Sequence, residues 1–365
     1  MKAALFNRVP YLGPIPGNVW PVPADDRYSQ EVAQASMEAC LEQFQLADEV
    51  GFDWVTVAEH HYSTFSLSPN PMVLAGALTE RVKRAKIALL GATVPILNPI
   101  RVAEEFAMLD VMSGGRVVAG MLRGTPNEYV TYGINPAETR ERFAEALELI
   151  VRAWTEPQPF GWQGRYYEYR SISIWPRPVQ QPHPPIFMSA SSPESGEWAA
   201  QHRISVGFAV TTLPIATKSV RHYREQAQLA GWEPTADNVL YRLVAHVAET
   251  DQQAHDDLQA PSTAPIVRLF GANPALEAAV TRAGYHGRDQ DAQIRRQQGG
   301  SVGQRIEQGQ LLAGSPETVL DQIRTIQEAI GPGTLDISFQ PVSREKSLRA
   351  IELFGTQVLP RMHDL

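Results

Sequence analysis

The chain has 365 residues, with 32 Lys and Arg against 40 Asp and Glu for a formal net charge of −8, and 43% hydrophobic and 20% charged residues. That balance suits a soluble globular protein burying a large core and excludes a disordered one. The acidic charge, without a Lys/Arg block or a basic amphipathic face, argues against nucleic acid as a partner.

The one cysteine, Cys40, lies in an amphipathic stretch and excludes an internal disulfide framework or thiolate cluster; a small buried side chain is expected there. No apolar run reaches the about 18 residues of a membrane span. Met1-Lys-Ala-Ala-Leu-Phe6 lacks the long apolar region of a secretory signal. A cytoplasmic protein with no membrane partner is expected.

In chain order, residues 3–6 predict a first strand, followed by a Pro/Gly-rich loop with Tyr11 and Trp20 that is too long to be a minimal connection. Apolar residues at helical spacing over 28–50 stop at Gly51, and Phe52, Trp54, Val55 and Val57 predict a second strand. Helices at 71–81 and 100–112 alternate with strands at 87–90 and 116–121, and Phe143, Leu147, Ile150 and Trp154 mark the next helix. Residues 157–185, dense in proline and aromatics, read as an excursion with a hairpin over 166–175. The alternation resumes with strands at 185–188, 206–210 and 240–247 and helices at 194–202 and 215–229. Residues 260–310 form a polar insertion containing Tyr285, His286, Gly287 and Arg288, before a helix at 315–330 and a strand at 335–339.

Eight strands alternating with helices, without a linker or composition break, predict an α/β fold: a TIM (β/α)8 barrel with an insertion after the seventh strand. Residues 1–365 are read as one domain, with 260–310 near the barrel mouth. No strand leads into Gly-x-Gly-x-x-Gly, which counts against a dinucleotide-binding sheet.

In such a barrel the chemistry sits at the C-terminal ends of the strands. Glu59, His60 and His61 fall there, and successive side chains point to opposite sides, so one histidine faces the mouth while its neighbour packs sideways. Adjacent histidines do not converge on one ion, and no His-Glu-x-x-His occurs, so no metal site is expected. Ser189, Ser191, Ser192 and Ser195 follow a strand and open a helix, where free N–H groups and hydroxyls suit an anion such as phosphate; simple capping is the competing explanation. Arg123 and Arg140 could supply cations to the same anion. Gly91, after Leu90, permits close approach of backbone to a flat ligand. Tyr11, Tyr129 and Trp175 are candidate aromatics for an apolar pocket, and core packing competes for each.

Gly51-Phe-Asp-Trp-Val-Thr-Val-Ala-Glu-His-His61, Asn98-Pro-Ile-Arg-Val-Ala-Glu-Glu105, Leu109-Asp-Val-Met-Ser-Gly-Gly-Arg116, Met121-Leu-Arg-Gly124 and Ile174-Trp-Pro-Arg-Pro178, with Leu312-Ala-Gly-Ser-Pro-Glu317 later, resemble the bacterial luciferase-like family of flavin-dependent monooxygenases. The resemblance implies a barrel that binds reduced FMN (FMNH2) at its mouth and activates O2. His60 matches the family's catalytic histidine. Leu90 and Gly91 fall where the family often has a non-prolyl cis peptide against the flavin ring, and Arg123, Arg140, Ser189, Ser191, Ser192 and Ser195 where it holds the FMN phosphate. Glu59, His61, Tyr11, Tyr129 and Trp175 are then the substrate-side candidates. Leu122 stands where bacterial luciferase has a reactive cysteine and Ser191 where it has a glutamate; the first departure speaks against light emission and leaves oxygenation intact.

The activity so implied is that of a two-component monooxygenase, in which a separate NAD(P)H:flavin reductase supplies FMNH2 and a C4a-peroxyflavin transfers one oxygen atom to a small, apolar, carbonyl-containing substrate. Two alternatives stay open: a deazaflavin-dependent hydride-transfer oxidoreductase on the same barrel, and a non-catalytic flavin-binding subunit. A homodimer through the helices flanking the second and third strands is expected.

Overall fold

Strand β2 (Trp54–Val57) shows why the sheet is parallel: all of its residues are buried, so the strand is covered on both faces and reads as a continuous apolar run. The computed structural model describes residues 1–14, 20–209, 211–259 and 300–365, together with 278 and 282. In chain order the elements around the ring are β1 (Lys2–Phe6), α1 (Gln30–Glu49), β2, α2 (Pro71–Arg81), β3 (Lys86–Thr93), α3 (Pro99–Ser113) and β4 (Val117–Leu122). There follow α4 (Pro126–Tyr132), α5 (Thr139–Thr155), a hairpin β5 (Phe160–Gln163) and β6 (Glu168–Ile172), β7 (Ile186–Ser189), α6 (Pro193–Gln201), β8 (Ser205–Phe208) and α7 (Leu213–Leu229). The chain continues through β9 (Val239–Val247), α8 (Asp251–Gln259), α9 (Val302–Glu307), β10 (Leu311–Gly314), α10 (Pro316–Ile330), β11 (Thr334–Phe339) and α11 (Arg344–Leu353).

The strands run in the order β10-β9-β11-β1-β2-β3-β4-β7-β8, and β8 pairs back onto β9 through Val206 and Val239. That last pairing closes a parallel barrel of eight strands, the TIM architecture read from the sequence; β10 adds to the edge of β9 farther along, at Leu311 and Val244.

Inside the ring Ala4, Trp54, Ala88, Leu90, Val118, Phe187 and Leu240 pack as a plug, with the Trp54 and Phe187 rings edge-to-face at 5.6 Å. Small residues beside large ones let the layer fill. Two residues on, at the strand period, Phe6, Thr56 and Arg242 succeed Ala4, Trp54 and Leu240. Arg242 lies 3.7 Å over the Phe6 ring and pairs at 2.5 Å with buried Asp336, which also accepts from the Thr56 hydroxyl at 2.6 Å. The larger cluster, with Phe44, Phe106, Trp154 and Ile323, fills the space between strands and helices. Each such ring or branched chain is worth about 1.5–3 kcal/mol on burial.

The hairpin spans 160–172 rather than 166–175, because Glu145 accepts the N–H groups of Arg165, Tyr166 and Tyr167 and makes that stretch the turn. Helices α4, α8 and α11 and strand β10 were not expected, and none is longer than ten residues. Tyr285, His286, Gly287 and Arg288 lie outside the described residues. Among the described residues no helix is long and apolar enough to cross a membrane.

Candidate active site

The Trp54-Thr56 alternation carries on past the end of β2, so that His60 turns toward the barrel mouth while Glu59 and His61 turn away from it. Glu59 and His61 are each 5% exposed. Glu59 Oε1 meets His61 Nε2 at 3.0 Å, and its Oε2 accepts the Thr93 N–H at 3.0 Å. The His61 carbonyl accepts the Trp20 indole N–H at 3.1 Å, and its Nδ1 lies 3.4 Å from the Tyr132 hydroxyl.

His60 stands differently. Its backbone N–H is fixed on the Ser68 carbonyl at 3.2 Å and its ring sits edge-on to Phe65 at 5.2 Å, with the side chain 20% exposed. Nδ1 faces Glu128 Oε1 at 3.5 Å, shut off from solvent and without a hydrogen bond. That separation is too long for a good neutral hydrogen bond but close enough to hold a protonated ring by charge. Glu128 is itself rigid. It closes the capping box of α4, taking both the N–H and the hydroxyl of Thr125. Burial pushes the Glu128 carboxyl up, but the neighbouring His60 ring and the bonds from Thr125 outweigh it and hold the group below the ordinary carboxylate value.

The strand next to β2, β3, breaks register with β4 between Leu90 and Ala92, and the Leu90–Gly91 peptide is cis. A Cβ on Gly91 would meet the Gly120 carbonyl oxygen at 2.4 Å, and one on Gly120 the Leu89 carbonyl oxygen at 2.1 Å. Only glycines at both positions allow these strands to approach so closely; the space a Cβ would take at Gly91 is filled by the neighbouring strand rather than open to the flat ligand that the sequence suggests.

The third component follows β7. Ser192 caps α6, its Oγ accepting the Ser195 N–H at 3.3 Å and meeting Ser195 Oγ at 3.0 Å, while the Ser189 and Ser191 hydroxyls touch at 2.9 Å and are exposed. The Glu194 carboxyl is held below its ordinary value, first by the Ser192 hydroxyl and its own N–H and then by the charges of Arg140 and Arg123. Both arginines therefore act on the start of α6, Arg123 from the end of β4 and Arg140 from the start of α5. The carbonyl of Arg123 is tied down by the Tyr129 hydroxyl.

Three aromatics change role. Tyr11 donates to the Arg27 carbonyl at 3.1 Å and accepts from the Ser29 N–H at 2.9 Å, so its hydroxyl is used in anchoring the first loop. Tyr129 is fully buried against Ile96 and Ile134. Trp175 is 84% exposed and lies near Arg177, which bonds the carbonyls of Trp154 and Glu156 at the end of α5, the side of the barrel opposite the mouth. Glu59 and His61 likewise are internal supports rather than lining. Sequence reasoning passed over Glu128, although Thr125-x-x-Glu128 is a capping-box spacing, and over Arg8 and Phe65. Among the described residues no group of three His, Cys, Asp or Glu could hold a metal.

The family model of luciferase-like monooxygenases matches residues 20–332. This chain belongs to the luciferase-like monooxygenase family. Within the family it is 29% identical, over 53% of its length, to the oxygenase component of the flavin-dependent trigonelline monooxygenase of Acinetobacter baylyi, and the match spans 54% of that protein, about half. It is 27% identical over 88% of its length to the 4-hydroxyprotoasukamycin monooxygenase of Streptomyces nodosus subsp. asukaensis, covering 86% of it. The crystal structure of monooxygenase RslO1 from Streptomyces bottropensis superposes with a TM-score of 0.76 at 26% identity, covering 99% of both chains.

Proposed function

We propose that this luciferase-like protein is the oxygenase of a two-component system, taking FMNH2 from a separate NAD(P)H:flavin reductase and using O2 to insert one oxygen atom into a small, apolar, carbonyl-containing substrate. The observation that carries the reading is that His60, partly open after β2, and the serine-and-arginine cradle after β7 and β4 stand at the same end of the barrel. The residues fit FMN at its phosphate: Arg123, Arg140 and the hydroxyls of Ser189, Ser191, Ser192 and Ser195 suit that group, and Leu90 on β3 and His60 after β2 stand on neighbouring strands where its ring would lie.

Reduced FMN, when bound, supplies the electrons that activate O2. His60 gives or takes a proton at its exposed edge, a role suited to imidazole near neutrality. Glu128, behind Nδ1, holds the charge of the protonated ring and fixes its orientation. A relative named as an oxygenase component supports the separate reductase. Exposed Val73 on α2, with Met108, Val111 and Met112 on α3, supports a homodimer through that face.

The test is stopped-flow absorbance of protein loaded with FMNH2 and mixed with O2. A kinetic phase that free FMNH2 lacks, followed by oxygenated product, is expected; turnover that proceeds equally well without O2 would instead indicate deazaflavin-type hydride transfer.

A further inference from the structure

One cation near the mouth has no counter-charge among the described residues. Arg8 continues the inward alternation of β1 through Ala4 and Phe6, and its guanidinium lies 4.0 Å over the face of Phe65, whose ring is also the edge-on neighbour of His60 at 5.2 Å. The two segments are laced together. Val9 gives its carbonyl to the Leu67 N–H at 2.8 Å, the Tyr11 N–H goes to the Thr64 carbonyl at 3.0 Å, and the His60 N–H to that of Ser68. Val9 holds φ at 55°, a backbone state rarely adopted by a β-branched residue, and its N–H is pinned on Asn7 Oδ1 at 2.7 Å. Such strain persists only where the surroundings impose it.

Arg8 makes no ion pair or hydrogen bond among the described residues, and its Nε is shut off from water with no partner. Burial alone pushes its guanidinium down to about 10, with no acidic side chain offsetting the loss. Phe65 repays part of this, since a cation over a ring gains about 0.5–2 kcal/mol, but Nε remains without a partner and the terminal nitrogens without an anion among the described residues.

We infer that Arg8 is a substrate-binding residue, and that the molecule oxygenated here carries a carboxylate that docks on its guanidinium across Phe65 from His60. The inference rests on the flavin reading and revises one part of it: the substrate is not apolar throughout, but besides its reacting carbon has an anionic handle that fixes it beside the histidine. A bidentate guanidinium–carboxylate pair supplies what Arg8 lacks, and its low solvent exposure makes the pair stronger than one in water. The phosphate cradle at α6 is a different place, reached from β4, α5 and β7.

The experiment is calorimetric titration of matched acids and amides (benzoate and benzamide, nicotinate and nicotinamide, phenylacetate and phenylacetamide) into anaerobic protein loaded with FMNH2, and into the flavin-free protein. At least one acid should bind about tenfold or more tighter than its amide. Arg8→Gln should erase that preference, Arg8→Lys keep part of it, and FMNH2 affinity should stay the same in both. Arg8→Met should raise the melting midpoint of the ligand-free protein by about 2 °C, because it removes an uncompensated cation, whereas an arginine kept for structure would lower it. No preference for any acid, an undiminished preference in Arg8→Gln, or a loss confined to FMNH2 affinity, which would assign Arg8 to the anionic reduced flavin, each overturns the proposal. An acid preference that persists while FMN fails to bind strikes the flavin reading and leaves Arg8 standing.

Discussion

Adjacent histidines on one strand end, each facing a glutamate, have been given opposite environments. His61 and Glu59 lie at 3.0 Å with their other atoms engaged by Thr93, Trp20 and Tyr132, so the pair is closed and holds the first loop to β2 and β3. His60 and Glu128 lie at 3.5 Å, the ring partly open to the mouth and Nδ1 unsatisfied. The lesson is that residue type does not separate support from chemistry; completeness of hydrogen bonding does. A satisfied buried pair has a single arrangement, while a pair left slightly apart keeps its atoms uncommitted.

The comparison is broken most severely at His60. His60→Ala should lower coupled oxygenation by about 10²–10⁴-fold, diverting electrons to hydrogen peroxide, with FMN affinity and melting midpoint retained; product and peroxide yields measured together check this, and full coupling removes His60 from the reaction. His61→Ala should behave oppositely, costing about 3 kcal/mol of stability because Glu59 is left buried with an unpaired oxygen. Urea unfolding reads it, and a midpoint like that of the unsubstituted protein would show the closed pair to be idle. Arg123→Ala should weaken FMN about 10–100-fold without altering coupling at saturation, the loss of a charged hydrogen bond; equilibrium titration decides.

The Glu128 carboxyl offers a pH test. Its value in the folded protein is below the ordinary 4.5, so its contribution is complete above that value and is lost as pH falls through the lowered one. The stability of the unsubstituted protein relative to Glu128→Gln should therefore shrink as pH falls below 4.5 and through the lowered value, and a pH-independent difference in urea midpoints would contradict the His60–Glu128 coupling. At the small end, Trp175→Ala should change neither FMN binding nor coupling and stability by no more than about 0.5 kcal/mol.

The barrel was legible because buried parallel strands such as β2 leave apolar runs that alternate with amphipathic helices. Short pieces leave no such pattern: the seven residues of α4 and the four of β10 are fixed by a capping box and by the edge of β9. Of the site, His60 and the cradle after β7 could be read because each lies where a strand ends. Glu128 could not, since its relation to His60 is made by folding across 68 positions, nor could Arg8, whose significance is a lack of partners. Trp175 misled because aromatic character was weighed without asking which end of the barrel its loop serves; a segment joining a helix to the next strand returns to the end away from the mouth.

The central claim is that the mouth holds a flavin by its phosphate beside His60. Anaerobic titration with reduced FMN and with reduced riboflavin, which lacks the phosphate, tests it most directly. The account predicts that FMN binds at least about tenfold tighter and that Arg123→Ala removes most of the difference; equal affinities for the two flavins, or a difference that Arg123→Ala leaves untouched, would contradict it.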